Sequence, residues 1–120
     1  EALKALFAPN ALAKSKDIDG QIADLMNLYK GKFVSNSSFD TGASEGAKEF
    51  GTWVYLRISP NIMELKTDEA VYSLIFTSIP VDNENPDDIG LWRIWLELKD
   101  GDSVVDEVKI DCEYRRHNRT

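Results

Sequence analysis

Asp106 is the residue in this chain whose type and position best suit catalysis. Strict alternation along Val104–Cys112 sets it between Val104 and Val108, on the face that the strand turns inward with Ile110 and Cys112. A carboxylate among apolar side chains has a raised pKa and can serve as a general base. Tyr29 and Tyr72 are the polar companions the sequence offers. A bulge at Val104–Val105 would instead turn Asp106 outward at a wet strand end. No cation or second catalytic group is fixed near it by the sequence, so a binding module is favoured over an enzyme, with Asp106 the sole catalytic candidate.

Other reactive residue types have simpler readings. Asp82, Glu84, Asp87 and Asp88 crowd one connector, and oxygen-rich clusters can hold calcium. Their spacing is not that of a calcium-binding loop and Pro86 interrupts it, so the expected metal set is empty and Asp87 and Asp88 are expected to fix a turn before Gly90. His117 lies in the polar end RRHNRT without a positioned partner. Cys112, the single cysteine, reads as a buried inert thiol and excludes an intrachain disulfide. Asn36-Ser37-Ser38 and Asn118-Arg119-Thr120 match the N-glycosylation pattern, which is frequent by chance. No cofactor motif is present.

The aromatic residues suggest recognition. Trp53, Tyr55 and Trp95 alternate onto one face with Arg57 and Arg93, and large aromatics with arginine are enriched at protein interfaces. This outer face is the expected site of a homodimer or protein contact. Tyr29, Tyr72, Phe76 and Trp92 are expected to line a pocket for a small molecule on the opposite face.

Two patterned strands, Ala70–Ile79 and Leu91–Leu98, organise these residues. In the first, Ala70, Tyr72, Leu74 and Phe76 alternate with Val71, Ser73, Ile75 and Thr77; in the second, Trp92, Ile94, Leu96 and Leu98 alternate with Leu91, Arg93, Trp95 and Glu97. Period two with one apolar face marks a sheet that covers a core on one side. Before them, Ala2–Phe7 reads as a helix, Pro9 opens a second through Lys14, and a third is capped by Ser15 or Asp17 and stopped by Gly31, with Ile18, Ile22, Leu25, Met26 and Tyr29 on its apolar stripe. Lys32–Ser38 reads as a strand and Asn36–Gly51, rich in Gly, Ser and acids, as a mobile connector of lid-like length. Thr52–Ser59 is a strand broken or bulged at Pro60 and resuming over Ile62–Leu65, and Asp100-Gly101 marks the last hairpin. The expected core is Leu6, Phe7, Ile22, Leu25, Met26, Leu56, Leu74, Phe76, Ile94, Leu96, Val108 and Ile110. Helices followed by an antiparallel meander of four to five strands make an α+β fold.

The 120 residues suit a single domain, 1–120, and the uncapped helical start EALKALF leaves room for a further helix upstream. Fourteen Lys and Arg against twenty-one Asp and Glu give a net charge of −7, which opposes a nucleic-acid or anionic-membrane partner. The basic residues Arg115, Arg116 and Arg119 form a short solvated cluster. No apolar run reaches the roughly 18 residues of a membrane span.

The run EALKALFAPNALAKSKDIDGQIADLMNLYKG, then GKFVSNSS, the aromatic strand pair and the turn NPDDIGL together resemble the bacterial family called domain of unknown function 5104 over nearly the whole chain. The resemblance implies a nuclear-transport-factor-2-like cone, with helices packed in the concave face of a curved antiparallel sheet, in secreted or lipid-anchored proteins. Enzymes of that fold use a cavity carboxylate as a base, the role open to Asp106 in a small isomerase, dehydratase or hydrolase. The resemblance itself carries no activity.

Overall fold

The computed structural model describes residues 3–37 and 40–114, with backbone only for 40–43. A 3-10 turn at Lys4–Leu6 leads into α1 (Pro9–Lys14) and α2 (Ile18–Leu28), followed by β1 (Phe33–Asn36), β2 (Asp40–Glu49), β3 (Thr52–Thr67), β4 (Val71–Asp82), β5 (Gly90–Asp100) and β6 (Ser103–Asp111). The six strands form one antiparallel sheet in which β3, β4, β5 and β6 are successive neighbours, while β1 and β2 both pair with β3. The fold is therefore α+β, with more strands than the four to five expected.

The additional strand is β2. Its glycines, serine and acids suggest a connector, yet residues 40–49 pair along β3 from Asn61 to Thr52. It forms part of the sheet boundary and its described side chains, 44–49, are exposed, so burial imposes no apolar alternation on it. Its backbone hydrogen bonds with β3 define the strand.

β3 is continuous through Pro60. The β2 register shifts between Gly42 and Ala43, both opposite Ser59, and Pro60 falls between the paired positions Ile58 and Asn61 on the β4 side. A residue without an N–H is thus accommodated where the ladder is irregular.

The N-terminal expectation of a helix over Ala2–Phe7 gives way to the single 3-10 turn. Pro9 disfavours a helical conformation at the residue before it, and Ala8 is extended (φ −60°, ψ 143°). Phe7 and Ala8 instead lie along the start of β5, where the Ala8 N–H donates to the Leu91 carbonyl at 3.0 Å. Gly90, at φ +134°, permits this approach, because a Cβ there would lie 2.6 Å from the Ala8 nitrogen. Asp17 caps α2 by accepting from the Gly20 N–H at 3.2 Å.

The alternation in β4 and β5 reads through to the structure. Tyr72, Trp92, Ile94 and Leu96 are buried against the helices together with Phe7, Ala11, Ile22, Leu25 and Ile110. Leu6 and Met26, expected in the core, are 59% and 54% exposed, and Leu56, Leu74, Phe76 and Val108 are half-buried. The cause is a mismatch of lengths: α2 spans about 16 Å, whereas β3 runs for about 50 Å, so the helices cover only part of the sheet.

Candidate functional site

Where helix coverage stops, the sheet and the N-terminal segment enclose an apolar groove. One compartment, about 430 Å³, is lined by Leu3, Leu6, Leu74, Phe76, Ser78, Gly90, Leu91 and Ile94. A second, about 220 Å³, is lined by Leu3, Leu25, Met26, Tyr29, Leu65, Leu74, Ile94 and Leu96. Leu3, Leu74 and Ile94 belong to both, so the compartments adjoin. Their lining follows β4 from Ser78 to the level of Tyr72, where Leu65 is paired, a length of roughly 20 Å.

The groove's chemistry follows from its position. Leu74 and Phe76 in β4 and Ile94 and Leu96 in β5 are cross-strand partners pointing to the helix side. Leu3 and Leu6 close one wall, held in place by Phe7 and Ala8 on β5 and by the exposed Lys4–Asp19 ion pair at 3.1 Å. Among the described residues, the phenol of Tyr29 and the hydroxyl of Ser78 are the only polar side-chain groups in the lining, which holds no Asp, Glu, Lys, Arg or His. A separate cleft of about 320 Å³ between the α1–α2 connection and the end of β6 is lined by Lys14, Ser15, Lys16, Asp17, Gln21, Asp111 and Glu113. Most of these side chains are exposed and of mixed charge.

The expected pocket residues divide. Phe76 lines the larger compartment and Tyr29 the smaller one. Tyr72 lies behind Tyr29, with ring centroids 5.2 Å apart, and its hydroxyl is committed to the backbone at Leu28 and Lys30. Trp92 is buried away from the groove: its indole N–H donates to the Asp88 carbonyl at 2.9 Å and its ring meets Tyr114 edge-on. Leu3, Leu74, Leu91 and Ile94 are lining residues that the sequence reading placed in the core or did not single out. The alternation of Leu74 and Ile94 signals an inward face, but alternation does not tell a packed face from an open one.

Asp106 lines neither compartment. It pairs with Leu98 and so keeps the side of Val108 and Ile110, but α2 does not cover it there; it is exposed, and its carboxylate accepts from the Glu107 N–H at 2.8 Å. The register shift at Val104–Val105 leaves Val104 44% exposed rather than inward.

The five expected interface residues divide between two strands, Trp53, Tyr55 and Arg57 in β3 and Arg93 and Trp95 in β5. Trp95 donates its indole N–H to Glu107 at 2.7 Å, under the Lys109 ammonium, and Arg93 pairs with Asp111 at 3.3 Å. Tyr55 lies opposite Asp82 and Trp95 opposite Ile75, levels separated by roughly 20 Å along β4. Arg57 pairs with Glu45 at 3.4 Å. Trp53 lies over Gly46, where a Cβ would come 2.7 Å from its ring, with the Lys48 ammonium 4.6 Å from the ring centroid.

In the acidic connector, Asp82 fixes the turn by accepting from the Glu84 and Asn85 N–H groups, the task expected of Asp87 and Asp88. Asp88, 2% exposed, accepts from the Asn10 side-chain amide at 2.7 Å and thereby ties α1 to the connector; Asp87 is exposed. Among the described residues no three His, Cys, Asp or Glu side chains are grouped to hold a metal ion. Cys112 is buried, and burial first, then the neighbouring Asp111 carboxylate, raises its thiol pKa above the ordinary value. His117 and the arginines at 115, 116 and 119 lie outside the described residues. No described helix is long and apolar enough to cross a membrane.

Residues 1–107 match the family model described as Domain of unknown function (DUF5104). No curated protein matches the chain.

Proposed function

The chain belongs to the DUF5104 family, whose description assigns no activity, and we propose that it is a binding module for an uncharged, elongated apolar small molecule. The ligand occupies the groove between Leu3–Leu6, α2 and the inner sheet face, in a fold of the nuclear-transport-factor-2-like kind. Extracellular or lipid-anchored placement belongs to this proposal through the family resemblance.

The observation that carries the reading is the groove's lining: two adjoining compartments of about 430 and 220 Å³ whose side chains, among the described residues, carry no charge. Volumes of this order suit small-molecule sites, and an apolar lining rewards apolar ligands. An anionic head has no Lys or Arg to meet it there, and burying an unpaired charge is unfavourable. Acid–base chemistry would need convergent polar groups, and Asp106 stands outside the lining.

Titration with the neutral fluorophore N-phenyl-1-naphthylamine, followed by competition with a monoacylglycerol and with the corresponding fatty acid, tests the proposal. Saturable binding displaced by the neutral lipid, and weakened on the order of 10-fold by Leu74→Gln, is expected. Binding absent in the wild type, or unaltered in the variant, would sink it.

A further inference from the structure

The β2–β3 hairpin ends in a two-residue loop, Phe50-Gly51, closed by the pair Glu49 and Thr52. Both loop residues have positive φ, 52° and 79°, the pattern of the tight turn whose twist suits a hairpin. Asn or Asp is the usual first residue there, since a bulky side chain in this region is strained. Phe50 adds a second cost: its side chain is fully exposed, at 104% of the reference area. An aromatic residue that is strained and packs on nothing gives the isolated fold no return, which points to a contact outside it.

We infer that this hairpin tip is a membrane-contact element that inserts Phe50 into the interfacial region of a zwitterionic bilayer. Behind the tip, Trp53 carries the Lys48 ammonium over its ring, 4.6 Å from the centroid. That places an apolar point ahead of an indole and a cation, the order in which acyl boundary, headgroup and phosphate are met. Lys48 and Glu49 leave the segment 48–53 without net charge, while the whole chain carries −7, so a neutral surface fits and an anionic one is repelled. A protein partner would need a broad matching surface, about 800 Å² on each side in a standard interface, which a two-residue tip does not supply. A bilayer accepts a single knob. The contact is weak and reversible, as one apolar anchor dictates. It rests on the hairpin alone and is independent of the groove.

Co-sedimentation with phosphatidylcholine vesicles, with and without phosphatidylserine, tests the inference. Wild-type protein should partition onto phosphatidylcholine, less so as phosphatidylserine is added, and Phe50→Asn should lower partitioning on the order of 10-fold or more. Because Asn suits the turn, that variant should keep its thermal midpoint and its binding of N-phenyl-1-naphthylamine, which separates loss of membrane contact from unfolding or a failed groove. Phe50→Trp should partition and show a blue-shifted emission on vesicles. No partitioning of the wild type at millimolar lipid, equal partitioning of Phe50→Asn, or a concentration-dependent dimer without vesicles that Phe50→Asn abolishes would overturn it; the last would assign the tip to a second copy of the chain.

Discussion

The hydroxyl of Tyr72 in β4 donates to the carbonyl of Leu28, the last residue of α2, at 2.7 Å. The same oxygen accepts from the Lys30 N–H at 2.7 Å, so one buried phenol satisfies backbone groups on both sides of the helix end. This clamp fixes the end of α2 on the sheet beside Tyr29 and the smaller groove compartment.

Tyr72→Phe removes the clamp while keeping the ring. The substitution should destabilise the fold by about 1–3 kcal/mol, the cost of leaving partly buried backbone groups unpaired. Urea unfolding monitored by circular dichroism reads this directly, and an unchanged midpoint would show that the helix end needs no support from β4.

Leu96 and Met26 both face the helix–sheet layer, yet Leu96 is 3% exposed and Met26 more than half exposed. Leu96→Ala should therefore cost about 2–5 kcal/mol, while Met26→Ala should cost less than about 1 kcal/mol. Equal losses in denaturant unfolding would mean that the groove is closed by packing in solution.

The buried Cys112 thiol makes stability fall at alkaline pH. Its folded pKa lies above the unfolded one, so the contribution is fully present below the unfolded value of about 8.5 and is lost as pH rises towards and through the folded value. Wild-type stability measured between about pH 8 and 9.5 should fall more steeply than that of Cys112→Ala, by at most about 1.4 kcal/mol per pH unit. Parallel curves would show a thiol that ionises freely in the folded state.

The amino-acid order determined the inner face of the sheet. Tyr72, Ile94 and Leu96 point inward because alternation with polar neighbours leaves only one side able to lose water, and that rule acts within each strand. A cap at Ser15 or Asp17, of which the structure uses Asp17, the start of α1 at Pro9 and the hairpin at Asp100-Gly101 were legible for the same reason: each depends on neighbours a few residues away. The strand β2 was not, since its residues lack an apolar pattern and its pairing is supplied by β3. Nor was the fate of the inward residues. Leu74 and Ile94 carry equally apolar side chains in facing strands, but Ile94 is buried and Leu74 half-exposed, because short helices cover a long sheet unevenly. Trp53 and Trp95 read as one aromatic face from their alternation, and the tertiary structure separated them, since strand register sets distance across the sheet and no local spacing encodes it.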